Sequence, residues 1–334
     1  MADWNLEHIN QPLALRQLPK KSNGKIDWGP VRVAHFDTGY TEHPAFAFDG
    51  NGKSPIVLAD LGRDFLNPKR RSARDPLTGP GFMPPGHGTR SGSALCADGA
   101  GFTGVGPGLP LIPCRVTESS LITGDVARAI GRALDYVTEN NLAPVVNISL
   151  GTPVVRDKAL GEALDRAYEK GVIVVCAAGQ LIDQVTYPAK HRRAIGVAGI
   201  QRRGKRHFIY YKYARYGRVD VWAPADPIRR ANVMAEEPDQ QFGDGTTYAA
   251  VHVSAAACMW LRKHGAQITQ RYGKTWKRVE AFRIALAKGG RPLPFKSPPT
   301  NRGLGLDCNK LLRTALPDPA ILIEEMDLAG DDLA

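Results

Sequence analysis

The run Val172–Ala178, reading VIVVCAA, is apolar at every position. A strand of this kind cannot leave one face in water, so it belongs inside a sheet that is covered on both sides. Shorter β-rich runs recur at Val31–Phe36, Leu111–Val116, Val145–Leu150, Ala194–Ile200 and Val219–Ala223, with a strand and turn over Pro55–Phe65. Helical patterns lie between them. Thr123 caps a helix running to about Asn140, whose inner stripe is Val126, Ile130, Ala133, Leu134 and Val137. Asp125 sits favourably in its first turn. Residues 157–170 form another helix. Strands without alternation, separated by amphipathic helices, predict an α/β fold: a mainly parallel sheet with helices on both faces.

A second stretch, Gly243–Leu261, runs from a glycine turn into a long apolar segment without a breaker. Ala249, Ala250, Ser254, Ala255, Ala256 and Ala257 keep its surface low, as in a helix buried on most sides. Thr246 and Thr247 stand at its start, where a hydroxyl can cap free amides. The plain reading is a capped core helix; the sharper one presents Thr247 as a reactive hydroxyl. Further helices are expected over residues 275–288 and Asn309–Thr314.

The chain has 334 residues, 43% of them hydrophobic, enough for one large domain with a substantial core. No internal repeat or linker divides it. The expected organisation is a lead-in over residues 1–30, a main domain over 31–316, and an acidic, disordered tail over 317–334. The formal charge of +11 favours an acidic or nucleic-acid partner, with the densest run at residues 202–206. The five cysteines show no metal-ligand spacing, and Cys114, Cys176 and Cys258 lie in apolar runs. They read as buried thiols in a reducing compartment. The first residues show no signal-peptide pattern and no stretch is apolar enough to span a membrane, so the expected location is cytoplasmic.

Three groups stand at the ends of these elements. Asp37-Thr38-Gly39 closes the first strand, where α/β sheets place functional side chains, although an Asx turn explains the same residues equally well. His87 lies between glycines in Gly86-His87-Gly88-Thr89, at a loop-to-helix junction; a structural histidine is the plainer alternative. Thr247 opens the buried helix. Acid, imidazole and hydroxyl in this order match one chain order of the Asp/His/Ser triads.

Together with Asn147-Ile148-Ser149-Leu150-Gly151, Ala177-Ala178-Gly179, Tyr187-Pro188-Ala189, Gly245-Thr246-x-x-Ala249 and Gly303-Leu304-Gly305, these motifs resemble those of the subtilisin-like serine peptidases over roughly residues 4–316. The resemblance implies the subtilisin-like fold and hydrolysis of peptide bonds. It gives Asp37 the role of orienting the imidazole and His87 that of general base and acid. It has Ser149, Leu150, Gly151, Ala177, Ala178 and Gly179 pair with an extended polypeptide and wall its main specificity pocket. Calcium is implied by the resemblance only; no carboxylate cluster supports it, and no metal site is assigned. Two departures fall on the chemical positions. Thr247 replaces the family's serine nucleophile, and its β-methyl is expected to cost about two to four orders of magnitude in rate. Gln180 replaces the oxyanion asparagine, offering the same donor on a longer stem. The alternative to a slow or specialised peptidase is an impaired pseudoprotease that binds peptides or proteins.

Overall fold

The computed structural model describes residues 3–67, 69–78, 85–99, 101–119, 123–152, 157–180, 182–204, 207–210, 217–233, 240–293 and 303–325. The strands are β1 (Val33–Asp37), β2 (Arg63–Asp64), β3 (Asp98–Gly99), β4 (Phe102–Thr103), β5 (Leu111–Arg115), β6 (Val145–Ile148), β7 (Ile173–Ala177), β8 (Ile195–Arg203), β9 (His207–Tyr210), β10 (Val221–Asp226), β11 (Ile228–Ala231), β12 (Gln240–Gly243) and β13 (Leu304–Gly305). Among the described residues the large sheet runs β13-β10-β8-β7-β6-β1-β5-β2, with β9 added to β8. Its strands pair in parallel apart from β9, which is antiparallel. Strands β1 and β5–β8 are buried in every residue up to Ile200, as apolarity on both faces requires.

Two helical layers cover the sheet. On one face lie α4 (Gly124–Glu139) and α5 (Lys158–Glu169), packed on Ala34, Phe36, Ile112, Val146, Ile148 and Val174. On the other lie α3 (His87–Cys96), α6 (Thr246–Tyr272) and α7 (Trp276–Gly289), packed on Val33, Leu111, Val145, Ile173 and Val175. Alternation along β1 therefore decides what meets what: Ala34 and Phe36 face α4 and α5, while Val33, His35 and Asp37 face α3 and α6. Thr123 caps α4 as its sequence predicts, accepting from Val126 N.

Strand β1 lies between β5 and β6, so the chain crosses it after β5 and then builds outward through β7, β8 and β10. The carboxyl end of β1 thus lies at a reversal of strand order, the place where open α/β sheets leave a crevice. Asp37 is the last residue of β1.

Helix α6 continues past Leu261 to Tyr272 because its later turns are amphipathic: Ile268 and Tyr272 are buried, and Arg262 bonds Asp27. The expected threonine cap is not formed; Gly245 is the N-cap, with no side-chain bond of its own. The expected strand over Pro55–Phe65 reduces to a bridge at Val57 and the pair Arg63–Asp64, because Ala59–Leu61 coil into a short 3₁₀ helix. Lead-in residues form α1 (Trp4–His8) and α2 (Gln11–Leu15), anchored by Trp4 Nε1 donating to Pro227 O at 2.7 Å and Gln11 Nε2 to Val105 O at 2.9 Å. The last helix, α8 (Cys308–Arg313), is capped by Asp307, which accepts from Lys310 N.

The segment read from composition as the start of a disordered tail is ordered over residues 317–325. Glu325 pairs with Arg218 at 3.0 Å, and its backbone N–H donates to Tyr168 Oη. Residues 326–334 lie outside the described residues, as do Lys205 and Arg206 of the basic run. All five cysteines are buried and unpaired, and burial pushes their thiols up. Among the described residues no helix is long and apolar enough to cross a membrane.

Candidate active site

Asp37 is completely buried at the end of β1. Its Oδ1 accepts from Thr38 N at 2.7 Å, a local turn contact. The carboxylate also faces His87: Nδ1 lies 2.7 Å from Oδ1 and 3.0 Å from Oδ2. The Asx-turn reading is therefore only part of its role. A third donor, Ser91 Oγ, lies 3.0 Å from Oδ2. Burial alone would raise this carboxyl, but the nearby His87 ring and the hydrogen bonds it receives hold it below its ordinary value.

His87 opens α3, and the flanking glycine explains how it gets there. A Cβ on Gly88 would lie 2.1 Å from Gly39 O, so the helix start can press against the Asp37-Thr38-Gly39 turn only with glycine at that position. Gly88 N donates to Thr38 Oγ1 at 3.0 Å, and Thr38 Oγ1 in turn bonds Asp75.

Thr247 lies in the first turn of α6 and is 7% exposed. Its Oγ1 stands 3.4 Å from His87 Nε2 and donates to Ser149 O at 3.1 Å. Asp37, His87 and Thr247, some 50 and 160 positions apart in the chain, thus form one line from carboxylate through imidazole to hydroxyl.

The start of α6 is held by a reciprocal clamp. Gly179 N donates to Thr246 Oγ1 at 3.2 Å, and Thr246 N donates to Gln180 Oε1 at 3.2 Å. The amide that the sequence left to a threonine cap is therefore satisfied by Gln180, from the loop after β7. Gly245 has φ +142°, and a Cβ there would lie 2.6 Å from Gln180 Oε1, so glycine at this position makes the clamp possible. With Oε1 bonded to Thr246 N, the Nε2 hydrogens of the exposed Gln180 point elsewhere.

Ser149–Gly151 follows β6, and Ala177–Gly179 continues from β7. Leu150 and Ala178 turn their side chains into the α4–α5 layer, so these two residues can offer a ligand only backbone. Sequence reasoning missed Thr186. It is buried between the two segments: a Cβ on Gly151 or Gly179 would lie 2.4 or 2.6 Å from its Oγ1, which donates to Ala178 O at 3.1 Å. It also missed His35 and Ser91, although His35 shares the two-residue alternation of Asp37 and Ser91 stands one helical turn from His87. Among the described residues no group of three or more His, Cys, Asp or Glu could hold a metal ion.

Comparison with known proteins bears on this site. The chain is 28% identical over 267 residues to Subtilisin Savinase of Lederbergia lenta, spanning 78% of this chain and 84% of that protein. It is 28% identical to an alkaline protease of Alkalihalobacillus alcalophilus, again over 78% of this chain but 60% of the relative's length. Fervidolysin from Fervidobacterium pennivorans, described as a keratinolytic enzyme related to subtilisin, superposes with a TM-score of 0.70 at 21% identity, over 94% of this chain and 46% of that one. The sequence profile of the subtilase family, the S8 peptidases, matches residues 30–292, and with a match of that extent this chain belongs to the subtilase family.

Proposed function

We propose that this protein hydrolyses peptide bonds through Asp37, His87 and Thr247, with Gln180 as an oxyanion donor. The observation that carries the reading is the line of hydrogen-bonding groups from the buried Asp37 carboxylate through His87 to the Thr247 hydroxyl. In the first step Thr247 Oγ1 attacks the scissile carbonyl carbon and its proton passes to His87 Nε2. The imidazolium is held by Asp37, which stays ionised, and the proton then goes to the departing amine nitrogen. Water repeats the sequence on the resulting ester and returns the hydroxyl. The negative charge that develops on the carbonyl oxygen would be met by Gln180 Nε2 and the backbone amide at the start of α6. The polypeptide would lie as an added strand along Ser149–Gly151 and Ala177–Gly179.

The bond from Thr247 Oγ1 to Ser149 O favours a second reading, a pseudoprotease that binds peptides without cutting them. Incubating a mixed peptide library with the protein and with Thr247→Ala separates the two. Cleavage by the parent that disappears in Thr247→Ala is the expected result. Equal product from both proteins overturns the threonine mechanism, and saturable binding with no product from the parent establishes the second reading.

A further inference from the structure

A second imidazole lies beneath the carboxylate. His35 precedes Asp37 by two residues on β1, points to the same side of the sheet and is 2% exposed. Its Nδ1 lies 3.0 Å from Asn147 Nδ2, and its Nε2 lies 2.9 Å from Ser91 Oγ. The neighbouring contacts are consistent with this orientation of Asn147: Nδ2 also donates to Ser149 Oγ at 2.8 Å, while Oδ1 accepts from Ser254 Oγ at 2.9 Å. An amide NH₂ can only donate, so in this arrangement His35 Nδ1 accepts and the ring proton sits on Nε2.

That tautomer decides what Ser91 does. Its hydroxyl has one hydrogen and three acceptors in reach: Asp37 Oδ2 at 3.0 Å, His87 O at 2.9 Å and Gly88 O at 3.4 Å. The two carbonyls represent the ordinary back-bonding of a helical serine. With His35 Nε2–H donating into Oγ, a lone pair of Ser91 is occupied and its hydrogen is free to serve the carboxylate. We propose that His35 is a positioning residue which acts through Ser91 to hold Oδ2 of Asp37, and so sets the face that the carboxylate presents to His87 Nδ1. The same chain reaches the nucleophile's end of the site, because Ser149 Oγ donates to Thr247 O at 3.5 Å.

The surroundings suit a neutral relay. Burial favours the uncharged His35 ring; Asp37, whose Oδ2 lies 3.6 Å from His35 Nε2, and a hydrogen bond to the Gly88 backbone pull the other way, while His87 reinforces burial. The titratable groups facing the network are Asp37 on β1 and His87 from α3, with Tyr248 of α6 in electrostatic reach of Asp37. β6 contributes Asn147, the segment after it Ser149, and α6 Ser254, all neutral. On β5, Pro113 stands beside His35, and Arg115, beside Asp37, is paired with Asp64.

This inference rests on Asp37 and His87 acting as a catalytic pair, so its test reads the pair without turnover. Histidine-labelled protein is examined by nitrogen-15 and proton NMR at neutral pH. The expected result is a neutral, Nε2-protonated histidine whose signals vanish in His35→Leu and in His35→Gln. The His87 Nδ1 proton held against Asp37 gives a far-downfield line, which shifts and exchanges faster with water in Ser91→Ala and His35→Leu. His35→Gln keeps an N–H donor toward Ser91 and restores the line toward the parent position, a rescue that mere filling of space would not give. A charged or Nδ1-protonated His35, or a line unmoved in Ser91→Ala, overturns the proposal even if His35→Leu fails to fold. Coupling without any peptide cleavage would sink the peptidase reading alone; cleavage without coupling would sink only the role of His35.

Discussion

Replacing Thr247 with serine should accelerate the reaction, and the structure sets the scale. The threonine hydroxyl is 3.4 Å from His87 Nε2, at the edge of hydrogen-bonding range, and spends its hydrogen on Ser149 O at 3.1 Å. To be activated it must leave that carbonyl, giving up a neutral hydrogen bond with a net contribution of about 0.5–1.5 kcal/mol. The β-methyl restricts χ1, and a turn of roughly 30° away from a rotamer costs about 0.5–1.5 kcal/mol more. The two terms sum to about 1–3 kcal/mol, or roughly 5- to 150-fold in rate. Serine relieves the methyl term but must still leave the Ser149 carbonyl, so Thr247→Ser should raise kcat by the second term alone, about 0.5–1.5 kcal/mol or roughly 2- to 10-fold. Steric hindrance of the approaching carbonyl by the methyl would extend the gain toward the upper end of the sequence-based expectation. KM should change little, because the peptide-pairing backbone is untouched. Initial rates on a fluorogenic peptide at saturating concentration, with single-turnover acylation as a check, measure both quantities. A serine variant no faster than the parent would refute the argument that the methyl restrains the nucleophile.

Other consequences follow from the same geometry. Thr186 fills the space between Gly151 and Gly179, so Thr186→Gly should admit larger side chains before the scissile bond, by about 1–3 kcal/mol per added methylene in kcat/KM across a substrate series. His252 is buried, accepts from Asn5 Nδ2 at Nε2, and donates from Nδ1 to Tyr248 O; burial lowers its pKa from 6.5 to about 4 despite the bond to Tyr248. Because the unfolded chain takes up this proton first, stability should fall by up to roughly 3 kcal/mol as pH drops from 6.5 to 4, and urea midpoints for His252→Gln should show a shallower slope across that window. Arg283 bonds Asp220, Glu280 and Arg192 O; Arg283→Met would leave the buried Glu280 without its cation while Asp220 keeps Arg218 and Gly196 N, costing about 3 kcal/mol in denaturant titration.

What the sequence made legible was whatever repeats with the period of an element. Unbroken apolarity in Val172–Ala178 identified a doubly covered sheet, and small residues in Gly243–Leu261 identified a buried helix. Glycines beside His87 and before Thr246 marked places of close approach, to the Gly39 backbone and to the Gln180 side chain, and the candidate residues could be named from spacing and resemblance. What escaped depends on contacts across the chain. The cap of α6 comes from Gln180, 66 positions away from the amide it serves, and no local pattern announces it. His35 looked like one residue of a β-rich run, and Ser91 like one small residue in a helix; only the register of β1 against α3 makes them partners of Asp37. Acidic composition suggested a disordered tail, but Glu325 finds Arg218 and Tyr168, and charge in a segment says nothing about whether a complementary site awaits it.

The bond from Thr247 to Ser149 O also links binding to chemistry. A peptide added as a strand along Ser149–Gly151 would offer backbone N–H groups to that same carbonyl. A carbonyl can accept two hydrogen bonds, but each weakens the other, and the incoming amide competes with the threonine hydroxyl for the lone pair facing the site. Loss of that contest leaves the hydroxyl with His87 Nε2 as its nearest acceptor, which is the contact attack requires. Substrate would then assist in arming the nucleophile, and part of its binding energy would be spent on kcat rather than on KM. A peptide N-methylated at the residue before the scissile bond lacks the competing N–H. It should therefore lose kcat as well as affinity, with the parent protein and, to a smaller extent, with Thr247→Ser, whose hydroxyl turns without a methyl to carry. A kcat that N-methylation leaves unchanged in the parent would show that the Ser149 carbonyl does not hold the nucleophile back.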